Sequence, residues 1–201
     1  PVDGGVELEN GQRIECRIAV NAAGPWAGGL GVTAVIKKRK GHLVITDRYP
    51  GYVHHQIVEL GYLKSAHSVS SDSVAFNIQP RKTGQMRIGS SRQYDAEGME
   101  VDTKILARMI KRAQEYLPDV GTLQAIRVWT GHRPATPDKL PLIGKSIESE
   151  KIYLATGHEG LGITTSLGTG RLVADLILGR KTGIDAAPYS PARKQKEGAH
   201  G

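Results

Sequence analysis

The 201-residue sequence is poor in features that mark several classes of protein. No apolar run approaches the roughly 20 residues that a membrane-spanning helix needs, so no transmembrane segment is predicted. The one cysteine, Cys16, has no second thiol for an internal disulfide, and we expect a packed thiol. These features favour a cytoplasmic location, with a peripheral position at the inner face of a membrane as the alternative. Because the chain has neither an initiator methionine nor a signal segment, we expect it to be part of something longer.

Aromatic residues are also scarce, at 5% with a single phenylalanine, whereas the net charge is +7. A basic chain can attract nucleic acid, but single strands are held on aromatic platforms that this sequence has few of. We therefore predict no nucleic-acid partner, and we interpret the basic clusters as solvated surface and a disordered tail. The clusters are Lys37, Lys38, Arg39 and Lys40, then Arg180 and Lys181, and finally Arg193, Lys194 and Lys196.

Strand patterns dominate the first forty residues. Residues 6–9 and 13–18 alternate in polarity on either side of Asn10-Gly11, which predicts a β-hairpin. The apolar residues 18–20 then lead into the small residues Asn21-Ala22-Ala23-Gly24. A strand that ends in small residues lets the backbone approach a bulky group closely.

The middle of the chain combines strands with one amphipathic helix. Strands are predicted at 42–46 and 123–129, and residues 73–79 and 85–90 predict a second hairpin. Asp102 is the predicted N-cap of a helix that ends before Pro118. Its apolar positions recur at three-to-four spacing: Ile105, Leu106, Met109, Ile110, Ala113 and Leu117.

The last third contains a predicted strand at 151–156, a glycine-rich turn at 157–164 and a helix from Thr164 to Leu178 that stops at Gly179. The glycines let the backbone pass against a flat ligand, and the start of the helix offers free N–H groups with a partial positive charge. Such a site stabilises an anion or an electron-rich ring. The alternative is a tight turn with a purely structural role. The glycine spacing does not fit the G-x-G-x-x-G dinucleotide fingerprint.

A stiff segment rich in proline and glycine, residues 129–144, precedes that strand. Arg133, held in such a segment, can meet a carboxylate with two parallel hydrogen bonds, or it can form a structural salt bridge. His132 is either an acid–base group or, as we favour, a packing or surface histidine. We assign no catalytic side chain and predict no metal site, because His54 and His55 would point to opposite faces of a strand without ligand partners.

In this order the motifs resemble the flavin-dependent D-amino-acid oxidase-like family, which includes glycine oxidase, sarcosine oxidase and D-amino-acid dehydrogenase. The resemblance covers about residues 4–180 and rests on an ordered set of blocks. The blocks are residues 20–27, Lys40-Gly41-His42, residues 131–134 with 136–138 and 141–144, and residues 157–164.

The resemblance implies an α+β fold. A mixed, mainly antiparallel substrate-domain sheet with a flanking helix would accompany a partial FAD-binding α/β domain that lacks its N-terminal Rossmann unit. The implied domains are residues 1–38 for part of the FAD-binding domain, 39–129 for the substrate sheet, 130–183 for the return, and 184–201 for an irregular tail. Tyr52, Tyr62 and His67 would either line the substrate pocket or pack in the sheet domain.

The resemblance also implies FAD as cofactor and hydride transfer from the α-carbon of a small amine or amino acid to flavin N5, without an essential side-chain base. Arg133 is similar in position to the arginine that holds the substrate carboxylate. The residues implied to face the flavin are Gly24 and the loop residues Gly160, Leu161, Gly162, Ile163 and Thr164.

Members of that family begin with a strand, a G-x-G-x-x-G turn and a helix that hold the FAD pyrophosphate, and this sequence contains no such segment. We therefore expect the C-terminal part of an enzyme, completed by a missing N-terminal half or by a partner subunit. Alone, the chain is expected to bind FAD weakly or not at all. The alternative is a structural or interaction subunit of a flavoprotein complex that has lost FAD binding. The motifs leave the substrate, and the choice between oxidase and dehydrogenase, open.

Overall fold

The structure, a computed structural model, describes residues 4–30, 33–61, 72–94 and 96–194. It has the mixed α+β fold that the sequence predicts. In chain order the elements are β1 (Gly5–Glu7), β2 (Arg13–Glu15), β3 (Ala19–Asn21), β4 (Lys37–Thr46), β5 (Ile57–Val58), β6 (Ser73–Pro80), β7 (Met86–Arg92), α1 (Thr103–Gln114), β8 (Ala125–Ala135), β9 (Leu142–Lys145), β10 (Ile152–Thr156) and α2 (Gly162–Ile177). Short 3-10 turns occur at Gly24–Gly29, Pro118–Thr122, Glu159–Leu161 and Ala187–Tyr189.

The chain forms two compact units. The described residues up to Lys38 and from Arg133 onward make the first unit, and the described residues within Arg39–His132 make the second. The chain passes from the first unit to the second inside β4 and returns inside β8. The second unit is therefore an insertion in the first.

Two small sheets form the first unit. β1 and β2 pair in antiparallel register with Val6 opposite Ile14, which confirms the predicted hairpin. In the other sheet, β10 lies between β3, to which it is parallel, and β9, to which it is antiparallel. Helix α2 covers this sheet with its C-terminal half, where Leu172 and Val173 pack against Ile143. Because β3 and β10 are parallel, their carboxyl ends lie at the same edge of the sheet.

The second unit is a five-stranded sheet in the order β5-β6-β7-β4-β8, and the pairs β5–β6, β6–β7 and β7–β4 are antiparallel. Helix α1 packs on it because its apolar positions share one face, and Met109 and Ala113 lie in the same buried cluster as Phe76. The predicted N-cap is confirmed. The carboxylate of Asp102 accepts hydrogen bonds from the backbone N–H of Lys104 and Ile105.

Half of the basic cluster in β4 differs from the prediction of a solvated surface, whereas Lys37 is exposed as predicted. Arg39 and Lys40 are each only 5% exposed. The Arg39 guanidinium lies 4.5 Å from the centre of the Tyr94 ring and bonds its hydroxyl, and the Lys40 ammonium donates to the carbonyl of Glu100 at 2.9 Å. The physical reason is the position of β4 as an inner strand between β7 and β8.

The tail also differs from the predicted disorder, as far as it is described. Tyr189 packs against the cluster of Ile143, Leu172 and Val173. Arg193 forms an ion pair with Asp138 at 2.7 Å, and its side chain is 10% exposed. The expectation fails because these partners lie far away in sequence. Lys196 lies outside the described residues.

Two local predictions are corrected as well. Helix α2 begins at Gly162, two residues earlier than expected, because the Glu159–Leu161 turn leads directly into it. His54 and His55 lie in a bend between β4 and β5 and not in a strand.

Candidate functional site

A cavity of about 510 Å³ opens at the carboxyl ends of the parallel strands β3 and β10, beside the start of α2. In sheets of this kind, ligands bind in the crevice outside the carboxyl ends of the strands. Small residues make up much of the wall, so a ligand can approach the backbone closely. Among the lining residues are Val20, Ala22, Gly24, Thr156, Gly162 and Gly170.

The turn after β3 is fixed by its own polar groups. Asn21 donates through its side-chain amide to the carbonyl of Ala27 at 2.9 Å and accepts from the N–H of Ala23 at 3.2 Å. Gly24 has φ +56°, a left-handed conformation that favours glycine. Its carbonyl accepts a 2.9 Å hydrogen bond from the hydroxyl of Thr156, which ties the ends of β3 and β10 together.

The glycine turn after β10 needs glycine at its first position. Gly157 has φ +82°, and a Cβ atom there would lie 2.6 Å from Cγ2 of Thr136. Glu159, at φ +50°, holds a second left-handed conformation without being glycine. The chain therefore turns sharply from β10 into α2.

Helix α2 has no side-chain cap on its first turn. The first four N–H groups of a helix have no intrahelical acceptor, and they carry a partial positive charge. The start of α2 reaches the cavity at Gly162. The local chemistry therefore suits a ligand with an electron-rich acceptor edge.

The predicted loop residues do not all line this cavity. Gly24 and Gly162 do, whereas Leu161 and Thr164 line a second cavity of about 450 Å³ on another side of the α2 start. Ile163 is 93% exposed. Gly160 lies beside Arg133, since a Cβ atom on the glycine would be 3.9 Å from Cδ of the arginine.

Arg133 belongs to the last residues of β8 and is half-buried. The next residue, Pro134, lines the cavity of about 510 Å³. The structure thus brings Arg133 together with the glycine turn at Gly160. Its planar guanidinium is suited to bidentate binding of a carboxylate.

His158 is a site residue that the sequence pattern did not single out, and it lines both cavities. Its Nε2 lies 2.9 Å from the hydroxyl of Thr169, one of the residues of α2. Burial lowers the pKa of His158 and so favours the neutral ring. No local sequence pattern predicts this pair, because His158 and Thr169 meet only when the fold brings the turn against the helix.

Other candidates have structural surroundings. Nε2 of His132 lies 2.8 Å from the carbonyl of Ala96, which favours the packing interpretation. Tyr52 packs against the core of the second unit, and burial, with a smaller effect of Asp119, raises its pKa. Tyr62 and His67 lie outside the described residues.

Within the described ranges, no group of three or more histidine, cysteine, aspartate or glutamate side chains is arranged to hold a metal ion. In the same ranges, no helix has both the length and the apolar character needed to cross a membrane.

Comparison with known proteins identifies the family. The model of the family described as FAD dependent oxidoreductase (DAO) matches residues 2–176. The chain belongs to this family. Hydrogen cyanide synthase subunit HcnC from Pseudomonas aeruginosa is 31% identical over 202 residues, covering 97% of this chain and 45% of that protein. D-amino acid dehydrogenase from Granulibacter bethesdensis is 38% identical over 116 residues, covering 56% of this chain and 27% of that protein.

Solved structures of FAD-dependent oxidoreductases share the fold. Glycine oxidase from Geobacillus kaustophilus superposes with a TM-score of 0.77 at 27% sequence identity, covering 92% of this chain and 48% of that chain. L-proline dehydrogenase from P. horikoshii superposes with a TM-score of 0.75 at 24% identity, covering 94% and 49% of the two chains. The chain thus spans about half the length of these FAD-dependent oxidoreductases.

Proposed function

We propose that this chain supplies the substrate-anchoring and flavin-facing part of an oxidoreductase that oxidises the C–N bond of a small amine or amino acid. One observation carries the proposal. A cavity at the carboxyl ends of two parallel strands meets the uncapped start of α2. The turn that leads into α2 also lies against Arg133 at Gly160. A site for a flat, electron-rich ring therefore adjoins an anchor for a carboxylate.

The residues at the cavity fit FAD. Gly24 and Gly162 leave the backbone bare where a ring would lie, and no side chain occupies the first-turn N–H groups of α2. These groups would stabilise negative charge on the ring. When bound, FAD supplies the acceptor for the hydride that leaves the substrate carbon. We retain Gly160, Leu161, Ile163 and Thr164 as proposed neighbours of the cofactor.

The proposed substrate is a small amine or amino acid, and Arg133 is its proposed anchor. Two parallel hydrogen bonds from a guanidinium to a carboxylate fix both the position and the orientation of the substrate. Similarity to proteins named glycine oxidase and D-amino acid dehydrogenase supports an amino-acid substrate. We assign to this chain the positioning of the substrate, and we assign no side-chain base.

We further propose that the pyrophosphate-binding half of the enzyme, either in the same polypeptide or in a partner subunit, completes the site. The chain spans only about half of the relatives that it matches. The first turns of α2 expose Ile163 and Leu167, which are 93% and 88% exposed. An apolar helix face of this kind is typical of an interface. The relative HcnC is itself named as a subunit.

A visible-absorbance titration with FAD tests the need for a second half. We expect the chain alone to bind FAD weakly or not at all, and the chain joined to a G-x-G-x-x-G half to form a yellow complex. A stoichiometric, submicromolar complex of the chain alone would contradict the proposal. An assembled protein that holds no FAD would instead favour the structural-subunit alternative.

Substitution of Arg133 tests the anchor in the assembled enzyme. Arg133→Ala is expected to raise KM for carboxylate substrates by about ten- to a hundredfold, because charge-assisted hydrogen bonds are lost. KM for amines without a carboxylate should change little. Arg127→Ala, an exposed arginine in the same strand, is the matched control. An unchanged KM in the Arg133 variant removes this residue from the role.

A further inference from the structure

The guanidinium of Arg193 makes five hydrogen bonds. Its Nε and Nη2 donate to the two carboxylate oxygens of Asp138 at 2.7 and 2.9 Å. Nη2 also donates to the carbonyl of Leu140 at 2.7 Å, and Nη1 donates to those of Pro141 and Ser190 at 3.0 and 3.2 Å. The side chains of Arg193 and Asp138 are only 10% and 14% exposed. A tail arginine thus holds one turn, residues 136–141, by a buried bidentate pair and two backbone carbonyls.

The turn that Arg193 holds is ordered by its own bonds as well. The Thr136 hydroxyl donates to the carbonyl of Leu140 at 2.8 Å, and the Asp138 carboxylate accepts from the Leu140 N–H at 3.2 Å. Lys139 takes a left-handed conformation with φ +63°. A non-glycine residue in this conformation is strained and needs support from its surroundings. Arg193 is part of that support.

The glycine loop packs against this same turn. A Cβ atom on Gly157 would lie 2.6 Å from Cγ2 of Thr136 and 3.4 Å from Cα of Pro141 and the backbone nitrogen of Leu142. Gly157 is the first residue after β10 and is followed by the loop and α2. The path of the loop therefore depends on where residues 136–142 are held.

We propose that Arg193 is a positioning residue for the glycine loop: it clamps the Asp138 turn and so fixes the backbone on which Gly157 rests. The family match ends at residue 176, whereas the clamp comes from the segment after it. That the loop then presents its backbone to a flavin rests on the function proposed above. The clamp itself does not.

The chemistry of the pair suits a fixed support. Burial favours the neutral acid, but hydrogen bonds from Arg193 and from the Leu140 backbone outweigh it and hold the pKa of Asp138 below its usual value. The Asp138 carboxylate therefore stays ionised at neutral pH. A lysine at 193 keeps the charge but cannot make the paired bonds to both carboxylate oxygens.

Amide hydrogen exchange of the full 201-residue chain tests the clamp without any cofactor. Arg193→Ala is expected to speed exchange at residues 157–162 by about tenfold or more, because a buried charge is left without its partner. Arg193→Lys should act in the same direction to a smaller extent, and it keeps the test decisive if the alanine variant does not fold. Unchanged exchange at 157–162 in both variants overturns the proposal.

Arg112→Ala is the matched control, because Arg112 pairs with the 5%-exposed Glu59 at 2.8 Å in the second unit. It should leave exchange at 157–162 unchanged. An equal effect from Arg112→Ala would show general destabilisation and would overturn the assignment to Arg193.

The assembled flavoprotein provides the second readout. Arg193→Ala is expected to weaken FAD binding by about tenfold and to change the shape of the visible flavin band, with partial rescue by Arg193→Lys. Faster loop exchange with an unchanged flavin band and affinity would overturn the cofactor part of the proposal. If the unsubstituted assembly binds no FAD, the proposed function fails, and hydrogen exchange still decides the clamp.

Discussion

The two long helices of the chain differ in capping and in burial. Helix α1 is capped by the side chain of Asp102 and buries Met109 within the core of its unit. Helix α2 has no side-chain cap, and only its C-terminal half is buried, at residues such as Leu172. Its N-terminal half exposes Ile163 and Leu167 to solvent. Helix α1 thus closes a core, whereas the start of α2 lacks a side-chain cap and exposes an apolar face.

The exposed and uncapped start of α2 has a cost in free energy that α1 does not have. Exposed apolar area costs about 25 cal/mol per Å² relative to burial, and the open N–H groups of α2 forgo the stabilisation that a cap provides. Neither cost applies to α1. A binding event that covers the start of α2 would remove both costs at once.

The largest difference in stability is expected between truncation of a buried methionine in α1 and truncation of an exposed leucine in α2. Met109→Ala in α1 should cost about 2–5 kcal/mol, because it leaves a cavity in a packed core. Leu167→Ala in α2, where the side chain is 88% exposed, should change the stability of the isolated chain by less than about 0.5 kcal/mol. Chemical denaturation followed by circular dichroism measures both. Equal losses in the isolated chain would end the distinction between the helices.

Two glycines are expected to respond in opposite directions to substitution by alanine. Gly157→Ala should cost about 1–3 kcal/mol, because it forces a side chain into a left-handed conformation against Thr136. Gly168→Ala, in the exposed part of α2 with no atom within 4 Å of the new Cβ, should stabilise the isolated chain by about 0.5–1 kcal/mol. Thermal unfolding of the two variants gives the sign. A stabilising Gly157 variant would refute the account of the loop.

The smallest expected effect concerns the acid side of the pH–stability curve. Because burial lowers the pKa of His158 in the folded chain, the unfolded chain takes up the proton first as the pH falls. The contribution of His158 is therefore fully present above about pH 6.5, and it is lost as the pH falls from there to the lowered pKa. His158→Gln should remove this part of the slope in denaturation curves measured between about pH 7 and 5. An unaltered slope in the variant would show that another group causes the loss of stability in this pH range.

Features decided by neighbouring residues could be predicted from the sequence. The Asn10-Gly11 turn set the first hairpin, and three-to-four spacing after Asp102 set α1. The ordered glycine, proline and arginine motifs indicated the family. In each of these cases the signal and the structure lie within one turn or one element.

Features decided by distant partners could not be predicted. Lys40 can be buried because a carbonyl 60 residues later accepts a hydrogen bond from its ammonium. Arg193 is largely shielded from solvent because both carboxylate oxygens of Asp138, 55 residues earlier, accept hydrogen bonds from it. The pairing of His158 with Thr169 depends on how a turn meets a helix. The sequence shows where the charged side chains are, but their hydrogen-bonding partners are known only from the fold.

The exposed apolar face at Ile163 and Leu167 also affects how long the chain persists in a cell. Side chains of this kind, once left uncovered, are what chaperones and proteases recognise and what drives self-association. Under the proposed function, in which a second half of the enzyme covers α2, the abundance of this chain should follow the supply of that covering surface. A shortage of that surface would appear first as turnover or aggregation of the chain, before any loss of specific activity per assembled molecule.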